Sequence, residues 1–240
     1  MIMLDRPPNA FFRSLSDETF AVVAPQLKRI ELKVGDKLCV TDDEVTNVYF
    51  PAGCLLSLIL ATADGGQVES NMAGLEGPWG LIEVLGGGVS VVDCDVQIDG
   101  PAHRLEGRAV RQLMARPDFA KACMVSIDAL QIEARRSHLC RGFHPVEARL
   151  ARWLLDSSER TAGRDPLPLT QAFLGAMLGV NRTTVTGAVA EFQRVGLVKT
   201  VRGRIHLLDR AALEGRACEC RPVLQMHRER LGLTPSPVAS

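Results

Sequence analysis

The stretch from residue 171 to residue 190, QAFLGAMLGVNRTTVTGAVA, decides how the rest of the chain is read. Leu174, Leu178, Val180, Val185 and Ala188 recur at the spacing that locks two short helices against each other. Gly175 is the small residue where the helices cross, and Gly179 supplies the turn. Thr170 is placed to cap the first helix and Asn181 the second. The pattern predicts a helix-turn-helix whose second helix turns Arg182, Thr183, Thr186 and Gly187 outward from its start. An arginine there can grip guanine O6 and N7 in a bidentate pair, while threonines serve phosphates or thymine methyls. Thr170, Gln171, Asn181 and Thr184 complete the DNA-contacting set expected of this segment.

The next residues, EFQRVGLVKTVRGRIHLLD, read as a helix end, a stop at Gly196, and a hairpin turning at Arg202-Gly203-Arg204. A hairpin in that place is the wing of a winged helix, and Lys199, Arg202 and Arg204 line it with cations for phosphate. The plainer alternatives are an ordinary α-hairpin and a merely solvated β-hairpin. The two motifs in succession favour double-stranded DNA as the partner.

Charge supports that division. The 28 basic and 28 acidic residues cancel, yet residues 1–140 hold 13 basic and 19 acidic groups and residues 141–240 hold 15 and 9. The span from Leu38 to His103 has ten carboxylates and no Lys or Arg. Such a split predicts two domains with different partners, the basic one suited to a polyanion. At 46% hydrophobic and 23% charged, the chain has the composition of a globular protein. No apolar run approaches the ~20 residues that cross a bilayer, and the first residues lack a signal-peptide core. A cytoplasmic protein with reduced thiols and no membrane contact is expected, since seven irregularly spaced cysteines do not make a disulfide framework.

Upstream of the motif, residues 11–29 predict an amphipathic helical segment with Ser16 and Asp17 at its N-cap. From Ile30 to Gly107 short β runs alternate with turns, and Asp64-Gly65-Gly66 predicts a tight hairpin. Strands at this spacing predict an antiparallel roll or jelly roll. From Phe119 to His138, Ala120, Cys123, Ile127, Leu130, Ala134 and Ser137 recur with heptad spacing on one helix. This is the expected seam of a parallel homodimer, with packing on its own domain as the alternative. Gly142 is expected to end that helix, Pro145 to open the next, and the last dozen residues to form a frayed tail.

The chain thus predicts an α+β protein in four parts. Residues 1–115 are expected to form an antiparallel β-roll with an N-terminal helix, the part that the resemblance named below implies is a sensor domain. Residues 116–141 form a connecting and dimerisation helix, residues 142–215 a winged helix-turn-helix, and residues 216–240 a tail.

A β-roll, a long helix and the winged helix LTQAFLGAMLGVNRTTVTGAVAEFQRVGLVKTVRGRIHLLDRAALE together resemble the Crp/Fnr transcription regulators of bacteria. VYFPAGCLLSLI, GLEGPWGL, HPVEARLARWLL and LEGRACEC resemble one subgroup of them more narrowly. The resemblance covers about residues 12–215. It implies a homodimer on a palindromic operator, a signal received in a cyclic-nucleotide-binding-like roll, and RNA polymerase as a further partner. It implies that Arg182 reads bases and that Arg204 meets phosphate at the wing. Where the cyclic-AMP regulators carry a glutamate and a later arginine, this chain has Thr183 and Gly187, so its operator should differ.

The stretch matching the family's cyclic-nucleotide pocket lacks the phosphate-binding arginine, and a phosphate would enter an acidic field with no local cation. This argues against cyclic AMP. Glu83, in the place of the ribose glutamate, is expected at the surface or capping a helix. No cysteine precedes Cys39, which argues against the family's N-terminal iron–sulfur cluster. Cys140, between His138 and His144, together with Cys218 and Cys220 offers a metal- or redox-sensing alternative. Cys39, Cys54, Cys94 and Cys123 lie in apolar patterns and are expected in the core. A cupin-like enzyme is the remote alternative: His103 is the β region's lone imidazole, and the sequence carries no Walker loop, Gly-x-Ser-x-Gly elbow or His-Glu-x-x-His, so no enzyme activity is expected.

Overall fold

A computed structural model of the protein describes residues 5–235, with Gln171 and Ala172 described in their backbone alone. Two short helices, α1 (Ala10–Arg13) and α2 (Asp17–Val23), precede strands β1 (Lys28–Leu32), β2 (Lys37–Cys39), β3 (Asn47–Pro51), β4 (Leu55–Ala61) and β5 (Gln67–Ala73). Helix α3 (Leu81–Leu85), strands β6 (Asp93–Ile98) and β7 (Gly100–Glu106), and helix α4 (Gly107–Leu113) complete the roll. Its strands form two antiparallel sheets, in the orders β1-β7-β3 and β2-β6-β4-β5. The expected N-terminal helix is broken in two and gives way to β1 at Lys28. Ser16 caps α2 as expected, accepting from the Thr19 amide at 3.2 Å.

The run CLLSLILA does not alternate because its sheet is covered on both faces. Leu56 and Leu58 point into the roll core with Phe50, Cys94 and Val96. Leu55 and Ile59 point the other way, with Met72 and Ile98, into a second core shared with the C-terminal domain.

The long helix α5 (Pro117–Phe143) runs beyond Gly142 to His144, which turns extended at φ −105° and ψ 139°. Pro145, rather than the glycine, ends it, because a residue before proline is pushed out of the helical region. Cys123 is fully buried in the roll core, whereas Ala120, Ile127, Leu130 and Ala134 are half-buried. Part of the expected dimer seam is therefore taken up within the protomer.

Helices α6 (Val146–Arg160), α7 (Gln171–Leu178) and α8 (Arg182–Arg194), strands β8 (Val198–Val201) and β9 (Arg204–Leu207), and helix α9 (Arg210–Glu214) form the C-terminal domain. The segment read as a tail contains a further helix, α10 (Cys220–Leu231), which packs along α5. Leu224 and Leu233 anchor it, Arg221 turns inward to Asp156, Glu159 and Glu214, and Arg228 is buried as well. Residues 236–240 lie outside the described residues. Among the described residues no helix is long and apolar enough to cross a membrane.

Arg160, at the end of α6 and 1% exposed, ties the parts together. Its guanidinium donates to Glu76 of the roll at 2.8 Å, to Glu133 of α5 at 2.7 Å and to the Met72 carbonyl at 2.7 Å. The surrounding fit is close: a Cβ on Gly74 would stand 2.6 Å from that of Arg160. Asp156, fully buried one turn earlier, pairs with Arg221 of α10 and lies 3.6 Å from Arg152. A second polar bridge joins Trp153 Nε1 to Glu69 of β5 at 2.7 Å, and Ser57 donates to the same carboxyl at 2.5 Å. Burial pushes the Glu69 carboxyl up to about 7, with Glu133 adding to the rise and the Ser57 and Trp153 bonds and Arg160 opposing it.

Two outcomes follow from this interface. Arg160→Ala strands Glu76 and Glu133 in the interior without a cation, and urea unfolding should show a loss of about 3–5 kcal/mol. Glu69 binds its proton more tightly when folded, so its stability contribution is full at low pH and is lost as pH rises from 4.5 to about 7. Glu69→Gln should flatten that part of the stability–pH curve in denaturant titrations.

Candidate nucleic-acid interface and a cysteine–histidine cluster

The predicted helix-turn-helix is α7, a turn and α8. Thr170 caps α7, its hydroxyl accepting from the Phe173 amide at 3.2 Å. Gly179 turns the chain with φ +62°, in the left-handed region where glycine carries no Cβ penalty. At Gly175 a Cβ would approach the Val180 carbonyl to 3.1 Å, which explains the small residue at the crossing. Leu174, Leu178, Val185 and Ala188 are buried between the helices, and Val180 is half-buried. Asn181 holds the cap position of α8 with extended backbone, yet its side chain makes no capping bond. Its amide is exposed instead.

Arg182, Thr183, Thr184, Thr186 and Gly187 are all exposed along the first turns of α8. The Thr186 hydroxyl donates back to the Arg182 carbonyl at 2.9 Å. The hairpin β8–β9 pairs Val201 with Arg204 at its end, and Arg202 and Gly203 turn it with φ +48° and +74°. Lys199, Arg202 and Arg204 are exposed on that hairpin, while Ile205 and Leu207 are buried beneath it. The fold therefore gathers the exposed Arg182 and threonines on one helix and three cations on the adjoining wing. Thr170 is exposed beside them, and the side chain of Gln171 lies outside the described residues.

Between α5 and the roll, Glu76, Pro78, Ser126, Leu130, Leu224 and Arg228 line a cavity of about 20 Å³. That holds about one water. Helix α10 helps fill the crevice, which sequence spacing alone did not reveal. Glu83 corrects an expectation: it lies in the first turn of α3 but is buried, and burial pushes its carboxyl up. Cys39, Cys54, Cys94 and Cys123 are buried core residues.

Cys140, Cys218 and Cys220 come together, and His144 joins them. The signal for His144 was present in HLCRGFH, where residues 140 and 144 are one helical turn apart. Hydrogen bonding to Cys218 holds the Cys140 thiol below its usual range, whereas Cys218 and Cys220 are raised. His138, the other neighbour, is exposed and outside the group.

Residues 148–216 match the Crp-like helix-turn-helix domain family. No curated protein matches the chain. Solved structures do. A Crp/Fnr-family regulator from Eubacterium rectale, described by its structure as putative, is 17% identical, with TM-score 0.67 over 88% of this chain and 99% of that one. The c-di-GMP-responsive global regulator CLP of Xanthomonas campestris is 15% identical, with TM-score 0.66 over 81% and 100%. A CRP/FNR-family regulator from Thermus thermophilus is 22% identical, with TM-score 0.65 over 79% and 98%. Residues 148–216 are a Crp-like helix-turn-helix domain, carried by a chain with the fold of the Crp/Fnr transcription regulators.

Proposed function

We propose that the protein is a homodimeric, sequence-specific DNA-binding transcription regulator that reads a palindromic operator through the start of α8. The observation that carries this is the exposed Arg182 and threonines on α8 beside a cationic wing, within a matched Crp-like domain. Arg182 contacts bases, Asn181 and the threonines contact bases or phosphates, and Lys199, Arg202 and Arg204 neutralise backbone phosphate. Dimerisation uses α5. Because Cys123 is spent in the roll core, the seam lies one step round the helix, through the half-buried Ala120, Ile127 and Ala134 and the 60%-exposed Met124. RNA polymerase is the natural further partner of such a regulator.

The sensor domain does not take cyclic AMP in this reading. The cavity between α5 and the roll, about 20 Å³, is far too small for a nucleotide. Apolar ligands would have to displace α10 from α5 to enter.

Fluorescence anisotropy with promoter DNA tests the DNA-reading half. Arg182→Ala should lose roughly 1–3 kcal/mol on the specific site and relax its sequence preference. Arg204→Ala should weaken all DNA alike and reduce the salt slope by about one phosphate contact. Equal losses from both variants on specific and random DNA would count against base reading by α8.

A further inference from the structure

Cys140 and His144 occupy successive turns at the end of α5, where the chain passes into the DNA-binding domain at Pro145. Cys218 and Cys220 lie beyond α9 and at the start of α10. The Sγ atoms of Cys140 and Cys218 are 3.5 Å apart, and Cys220 Sγ is 3.7 Å from His144 Nδ1. All four donor atoms lie within 4.8 Å of one another. A tetrahedral zinc ion, with sulfur at about 2.3 Å and nitrogen at about 2.0 Å, needs donors about 3.5–3.8 Å apart. The set is too tight to enclose more than one metal atom, which excludes an iron–sulfur cluster here.

Three further features suit a metal. His144 directs its other nitrogen, Nε2, to the Glu219 carboxylate at 2.9 Å. That is the carboxylate–histidine arrangement that orients an imidazole ligand and fixes its tautomer. Arg152 is 8% exposed and lies beside Cys140; its Nη1 stands 3.6 Å from Asp156, which Arg221 also pairs, and its Nε makes no hydrogen bond. Three thiolates and a neutral imidazole around a divalent ion leave one net negative charge, which this buried cation offsets. Finally, the three cysteines are 5% exposed or less and packed under Ala148, so the donor set is closed, as structural sites are.

We propose that Cys140, His144, Cys218 and Cys220 bind one zinc-class divalent ion, which ties the segment between α9 and α10 to the end of α5. Soft thiolates with one imidazole favour zinc over magnesium or calcium. The proposal is independent of DNA reading, because the metal is measured with no DNA present.

The test uses the full chain, purified without chelator or metal-affinity tag under anaerobic, reducing conditions. Elemental analysis should find one zinc per protomer. Exchange with cobalt(II) should give the visible spectrum of a tetrahedral thiolate site. Cys218→Ser should lose the metal. Glu219→Gln, a change at an exposed residue that leaves all four ligands in place, should bind it about 10–100-fold more weakly. A folded protein that takes up neither zinc nor cobalt, or a Cys140–Cys218 disulfide under these conditions, would overturn the proposal. So would a Cys218→Ser variant with unchanged metal content and spectrum.

Discussion

The Arg160 guanidinium is the point on which the arrangement of the domains depends. It is buried, it belongs to the first helix of the DNA-binding domain, and its two carboxylate partners belong to the roll and to the connecting helix. A buried cation cannot release one partner without leaving a charge stranded, so a motion of any of the three parts is felt by the other two. The apolar face of Leu55, Ile59, Met72 and Ile98 reinforces this coupling by giving the sheet a second core. Gly179, in the turn before α8, has room for a Cβ only at 3.0 Å from Val68 of β5. The turn thus rests directly on the roll.

The charge asymmetry takes on a second meaning in this light. The acidic span from Leu38 to His103 lacks cations of its own, and the C-terminal half supplies them: Arg160 to Glu76, Arg164 to Asp99 at 2.9 Å, and Arg141 to the Glu69 carbonyl. Opposite charge on the two halves therefore holds the domains to each other. Arg182, Lys199, Arg202 and Arg204 are exposed and outside this interdomain set, as the proposed contacts with phosphate and bases require.

What was legible in the sequence was what short-range spacing encodes. Leu174, Leu178, Val185 and Ala188 with Gly175 and Gly179 specify the helix-turn-helix, and the turn residues between β runs specify the roll. What was not legible depends on distant partners. Nothing local to CLLSLILA says that its outer leucine and isoleucine share a core with Trp153 and Leu154. Helix α10 looks like a polar tail because its inward residues include the buried Arg228 and Arg221, the latter held by Asp156, Glu159 and Glu214. Gly142 was read as a stop on propensity, although Pro145 imposes the real one. The cysteines could be counted, but their convergence with His144 needed the fold, since their donors are 78 positions apart at Cys140 and Cys218.

In the proposed complex two copies of α8, held by a dimer of α5, read two-fold-related DNA. Selection of the full-length chain on a library of random duplexes, followed by sequencing of the retained DNA, tests this arrangement. Enrichment of an inverted repeat whose half-sites are centred one helical turn, about 34 Å, apart is the expected result. Retention of DNA with no enriched sequence, or enrichment of a single asymmetric site, would contradict it.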